Sequence, residues 1–540
     1  MLKHNSRSPL LFTNPLLLMT MCALVSLVAL SACTVTTEPA YRDRPARQSH
    51  DEIPAGQNSN TVSDEQDHSE VSAEQSNFEL SAEKITSPLF FSSQPPAVTY
   101  DRYASFDIGL TESANDQLLE CRLNNESFAD CESNVFISDV QRDGEQIFTA
   151  RIKDDVTTEV SYTWQVLNVF ESDTIDLLPS TQVPDAADPG SWRGILRINC
   201  DFSHSSYNDP IVFPGGESMA HLHRFYGNEQ VDHNTTMESL LTTGDSTCQG
   251  GELNRSAYWV PTLLAPDYDS VTNERMIDEN GDPAWKAVPA VVGTNEEAHE
   301  VFYYSAAIDD LDAIQPIPAG LRIIAGDHTT MPGETQDTSI VRWHCQSWES
   351  NDHSNPRWSA TIPECLAPDR VRMDVFFPSC WNGIDLDSDD HKSHMAYPIK
   401  DSTGETVCPD THPVAVVRPT YHYAFGVRPD VYDPVERSSK GWRLASDGYE
   451  VTEQSHGGLS LHADWFNGWH PAVMEAILET CIQGRFDCHN GNLADGWRLS
   501  EAKEGIQEEP AIINDGLGMG SHHHQSSSML PLVTNAKQGN

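Results

Sequence analysis

Three short segments, far apart in the chain, repeat one mix of side chains: imidazoles beside aromatics and small turn residues. They are His221-Leu222-His223 running into Arg224-Phe225-Tyr226-Gly227, Cys380-Trp381 leading to Asp390-His391 and His394, and His462-Ala463-Asp464-Trp465 ending in Gly468-Trp469. Imidazole changes charge near neutral pH and is the commonest metal ligand, so this mix suits a polar pocket with metal-binding or acid–base capacity. His221 and His223 are two apart; on a strand they would point to one face and reach one metal. His391 and His394 are three apart and would share a face on a helical turn. His462 and Asp464 repeat the alternating arrangement. The candidate ligands of a divalent metal are therefore His221, His223 and His462. The candidate acids and bases are Asp385, His391, His394 and Asp464. The competing reading makes each imidazole a structural group bonded to backbone, and only a fold that brings the segments together separates the two.

Other chemistries have thinner support. Asp385, Asp387, Asp389 and Asp390 are spaced like a calcium loop, but the EF-hand pattern fails, with no Gly sixth and no Glu twelfth. Two carboxylates such as Asp385 and Asp464 would suit glycoside hydrolysis, which needs a proton donor and a nucleophile or base; among 81 acidic residues, however, any pair can be nominated. Tyr258, Trp259, Trp381, Trp465 and Trp469 could stack on sugar rings or equally fill a core. No Gly-x-Ser-x-Gly elbow, Gly-x-Gly-x-x-Gly turn, phosphate loop or His-Glu-x-x-His motif occurs.

The elements that would position these groups begin well inside the chain. Lys3 and Arg7 precede an apolar run from Leu16 to Leu30, which is short for a spanning helix. The tetrad Leu30-Ser31-Ala32-Cys33 resembles the lipobox of bacterial lipoproteins. Residues 1–32 then read as a lipoprotein signal peptide and Cys33 as the lipidated residue, with an ordinary cleaved signal or a membrane anchor as the alternatives. Thr34 after the Cys favours, by the same resemblance, the outer membrane or cell surface. Residues 33–88 are rich in Ser, Glu, Asp, Gln and Asn and read as a disordered acidic tether.

With 33 basic and 81 acidic residues the chain carries a formal charge of −48, which excludes nucleic acid as a partner. Ten cysteines remain once Cys22 and Cys33 are set aside, an even number that reads as disulfides in an exported chain. Pairing by proximity alone joins Cys121 to Cys131, Cys200 to Cys248, Cys345 to Cys365, Cys380 to Cys408 and Cys481 to Cys488.

Residues 89–170 show short alternating runs at 104–108, 135–137, 146–152 and 160–166, the spacing of a small β-sandwich. The stretch from Glu120 to Cys131 resembles bacterial extracellular immunoglobulin-like modules, with Asn125 in the place of the usual turn Gly; such modules commonly act as spacers. Residues 171–194, with Pro179, Pro184 and Pro189, read as a linker. Residues 195–498 form the main body, with strand-like runs at 193–198, 320–325 and 371–377 between long Gly/Pro/Asn/Asp loops. One helix is expected over 471–480, with Pro in its first turn. Residues 499–540, including His522, His523 and His524, read as a disordered tail. The fold class is mainly β or α+β: a small immunoglobulin-like sandwich, then a larger β-rich domain with long loops and few helices.

The main body carries a further set of distinctive segments: 209–215, His221-Leu222-His223, 254–261, Phe377-Pro378-Ser379-Cys380-Trp381, 390–398, Cys408-Pro409 with His412-Pro413, and His462-Ala463-Asp464-Trp465. In this order, over about 200–490, they resemble the domain-of-unknown-function family numbered 1996 (DUF1996). His470 stands where the pattern has Asp after Gly468-Trp469. Members often sit beside carbohydrate-binding modules, so the resemblance implies association with glycans. The expectation is a surface-anchored lipoprotein whose main domain binds or acts on extracellular polysaccharide, a glycan hydrolase being the first form of enzyme. The alternatives are a non-enzymatic adhesion or glycan-binding protein with a structural polar core, and a calcium-stabilised structural domain.

Overall fold

The computed structural model describes residues 88–513 apart from 112–113, 115–116, 139, 141–142, 188–193, 279, 291–300, 347–357 and 504–511. Cys33, the tether and His522–His524 lie outside the described residues. No helix among those described is long and apolar enough to cross a membrane.

The N-terminal module is two facing sheets. Leu89–Ser93, Ala104–Leu110 and Asn134–Ile137 form one; Val98–Thr99, Val160–Val166, Gly144–Ile152, Leu119–Leu123 and Ala129–Cys131 form the other. Alternate residues turn inward, so Phe106, Phe148, Ala150, Trp164 and Val166 meet in one core. The Cys121–Cys131 disulfide closes its hairpin. The left-handed residue of that turn is Asn124 (φ 53°), one position before the expected Asn125. The reason is local: Asn124 Oδ1 accepts from the Ile147 N–H at 2.9 Å, and its amide donates to Gln146.

The main body is a second, larger sandwich. A seven-stranded sheet runs in the order Asp185–Ala186, Phe486–Cys488, Ile195–Asn199, Val301–Ser305, Arg418–Gly426, Arg370–Phe376 and Val341–Gln346. Its inner face is Leu196, Ile198, Phe302, Tyr304, Tyr421, Tyr423, Phe425, Val371, Met373, Val375 and Trp343, all in the main core. Its outer face carries Arg342, Arg372 and His422 around the buried Asp374, and Arg197 on Asp487.

Facing it is a five-stranded antiparallel sheet ordered Phe202–Ser206, His223–Gly227, Ala257–Pro261, His462–Phe466 and Arg322–Gly326. Rings from both sheets interlock: Tyr258 lies 4.5 Å from Phe302, Tyr226 5.3 Å from Tyr423 and Trp465 6.2 Å from Tyr304. Burying such rings stabilises by about 1.5–3 kcal/mol each. The remaining four disulfides are Cys200–Cys248, Cys345–Cys365, Cys380–Cys408 and Cys481–Cys488. The fold is β-rich with few helices.

Two expectations about elements change. The helix at Pro471 is α-helical only to Ala476 and continues as π-helical turns over Ile477–Gln483. The expected linker is built into the body: Leu177–Pro179 pairs with Trp497–Leu499, and Asp185–Ala186 with Phe486–Cys488, because Leu177 is a buried anchor. The N-terminal module also contacts the body. Tyr103 Oη donates to the Trp469 carbonyl at 3.0 Å, and the His470 ring bonds the Tyr100 carbonyl at 2.9 Å.

Candidate metal centre

The register of the five-stranded sheet builds the site. His223 stands opposite Pro261, Trp259 opposite Asp464, and His462 opposite Gly326. Side chains alternate faces along a strand, so His223, Pro261, His462 and Gly326 form one row on the face turned away from the main core. Phe225, Trp259, Asp464 and Ile324 form the next, under a small apolar cluster with Ile211 and Leu240. Gly326 (φ 82°) is required here: a Cβ would stand 2.3 Å from the Leu461 carbonyl oxygen and 2.9 Å from the His462 Cα.

His221, His223 and His462 present ligand atoms within 4.8 Å of one another, and a second group, Asp209, His223 and Asp464, converges within the same limit. His223 Nδ1 donates to the Asn208 carbonyl at 3.1 Å and His462 Nδ1 to the Ser460 carbonyl at 2.9 Å. A carbonyl only accepts, so each Nδ1 carries the proton and each Nε2 keeps its lone pair for the centre. His221 Nε2 lies 3.1 Å from His462 Nε2. Ser460 is itself held by Asp447, whose carboxylate accepts from the Ser460 N–H and Oγ–H and from the Leu444 and Gly458 N–H groups.

Asp464 is 1% exposed and neither of its oxygens has a hydrogen-bond partner. Burial pushes its carboxyl well above the usual range, and Asp209 nearby adds to this. Burial likewise pushes His462 well below its ordinary value, with His223 adding. His462 Nε2 lies 3.9 Å from Asp464 Oδ2. Asp209 is buried, and its Oδ1 accepts from the Ile211 and Val212 N–H groups. His221 is half-buried and His328, 5.7 Å from His462 between ring centroids, is exposed, so the group borders solvent on that side.

The second histidine segment does other work. His394 is fully buried, with Nδ1 on Ser388 Oγ at 2.9 Å and Nε2 on the Arg322 carbonyl at 2.7 Å. His391 Nδ1 lies 3.0 Å from both oxygens of Asp387, which also binds Arg322. Asp385 accepts from the Asn382 amide through Oδ2 and from the Trp381 indole through its carbonyl. Asp390 Oδ1 is taken by Ser388 Oγ and the Lys392 and Ser393 N–H groups. Among the described residues the two convergent groups contain none of Asp385, His391 and His394.

Tyr258, Trp259, Trp465 and Trp469 are buried to 1% or less, so they offer no face to a sugar; they are core and the wall behind the site, because their strands are covered on both faces. Trp381 is half-buried. Residues missed by sequence reasoning as site members are Asp209, His328 and Lys392, whose Nζ donates to the Gly326 carbonyl at 2.9 Å. Asp209 had one available signal, an Asp placed to cap its own turn at Asp209-Pro210-Ile211.

Imidazole nitrogens with a carboxylate suit zinc, copper, iron or nickel, and a ligand set open on one side is the form taken by catalytic zinc sites. No curated protein and no solved structure matches the chain. Residues 209–469, which hold every member of both convergent groups, match the model of the family described as Domain of unknown function (DUF1996), and the main body of this chain is a domain of that family.

Proposed function

We propose that His221, His223, His462 and Asp464, with Asp209 beside them, form a mononuclear divalent transition-metal centre that serves the hydrolysis of extracellular polysaccharide. The observation that carries the reading is Asp464: a buried carboxylate without a hydrogen-bond partner, beside imidazoles whose Nδ1 protons are committed elsewhere. Leaving such a group unmet costs about 1–3 kcal/mol, and a cation would meet it. A bound metal would polarise a substrate oxygen or lower the pKa of a water. The chain's own part is to fix two imidazole tautomers through Asn208 and Ser460, and to leave the His221 side open. Five disulfides favour an exported protein. The polysaccharide substrate rests on the family resemblance.

Elemental analysis of the full chain carrying His522→Ala/His523→Ala/His524→Ala tests the centre. One equivalent of transition metal, lost in a further His223→Ala/His462→Ala variant, is expected. A metal-free protein that gains no thermal stability from added zinc, copper or cobalt would sink it. The lipid anchor on Cys33 is part of the same proposal: Cys33→Ser should move the protein from the membrane to the soluble fraction, and an unchanged distribution would refute the anchor.

A further inference from the structure

Lys392 is one of only 33 basic residues against 81 acidic ones, and it is exposed. Its Nζ bonds the carbonyl of Gly326, the residue paired with His462 across the sheet.

The loop that presents it is tied on both sides. Its own N–H and that of Ser393 go to Asp390, and His412 bonds the Ser393 carbonyl at 2.9 Å. His391 and His394 clamp the loop to Arg322 and Asp387, and Cys380–Cys408 closes its base. A surface lysine ordinarily gains nothing from such bracing. An ammonium that must stand at one place does. The carbonyl takes one of its three donors.

We propose that Lys392 binds an anionic group of the substrate at the rim of the metal centre, so that the site takes a carboxylate-bearing sugar, a uronate, in preference to a neutral one. This rests on the metal-centre reading above. At −48 the molecule as a whole repels an anion, so attraction must be local. Screening confines charge effects to about 8–10 Å at physiological salt, and a metal and an ammonium within that range would hold an anion between them.

The test uses the full chain with His522–His524 replaced by alanine, loaded with cobalt(II) and titrated with glucuronate and, separately, glucose. Saturable change in the cobalt visible spectrum with glucuronate only is expected. Lys392→Ala should weaken glucuronate binding about tenfold or more, with the anion-free spectrum unchanged, and Lys392→Arg should restore most of it. Equal glucuronate affinity in wild type and Lys392→Ala, or equal response to glucose, overturns the role of Lys392 and leaves the centre standing. Failure to bind cobalt at all overturns the centre itself, and this proposal with it.

Discussion

Asp464 is the residue on which the proposed centre turns. It sits at 1% exposure with both oxygens unmet. A group that serves only the fold would be satisfied by the fold, as Asp447 is by four donors. The cost of Asp464 in the metal-free protein has a measurable consequence. Asp464→Leu should raise metal-free stability by about 1–3 kcal/mol in denaturant unfolding and abolish the stabilisation produced by added metal. A variant less stable than wild type without metal would mean that Asp464 has a structural partner. The candidate ligands His221, His223 and His462 and the candidate acid or base Asp464 were legible in sequence, because His-x-His and His-x-Asp on strands point to one face. Asp209 and Lys392 were not, since each arrives on a loop whose path no periodicity encodes.

The strand His462–Phe466 carries two of the proposed ligands, and what sets their direction is the turn before it. Asp447 grips Ser460, and the Ser460 carbonyl takes the His462 Nδ1 proton. Asp447→Asn would turn an N–H donor toward the Leu444 and Gly458 N–H groups. It should cost about 2 kcal/mol in stability and about tenfold or more in metal affinity, measured by competition with a chelator. A folded variant that binds metal as tightly as wild type would show that the tautomer is set elsewhere. The loop of His391 and His394 shows the opposite case. Its histidines share the residue types of a ligand set, but Ser388, Asp387 and the Arg322 carbonyl claim their nitrogens. Spacing alone cannot distinguish an imidazole that holds a loop from one that holds a metal.

The whole molecule joins the N-terminal module to the body through Tyr100, Tyr103, Trp469 and His470. His470 is 3% exposed, and burial pushes it from the ordinary 6.5 down to about 4, with Arg102 and Arg255 lowering it further and Asp143 and the Tyr100 carbonyl opposing them. The folded protein therefore holds it neutral while the unfolded chain takes a proton near 6.5. Its contribution to stability is whole above 6.5 and is lost as pH falls from there through about 4. His470→Asn keeps a donor for the Tyr100 carbonyl and does not titrate. Thermal unfolding of the two proteins between pH 7 and 4 should show a shallower loss in the variant, and parallel curves would remove His470 as a titrating contact.

By itself the sequence determined the β-rich class and several of the strands, because side-chain alternation of period two is local. The five cysteine pairs it offered by proximity alone, and the structure decided them. The sequence also determined which residue types could bind a metal. Only the tertiary structure decided which of them meet. His221, His223, His462 and Asp464 converge because strands distant in sequence pair in one register, and a shift of one residue would turn His462 and Asp464 into the main core. Tyr258, Trp259 and Trp465 became core because both faces of their sheet are covered, and whether a face is covered depends on what packs against it.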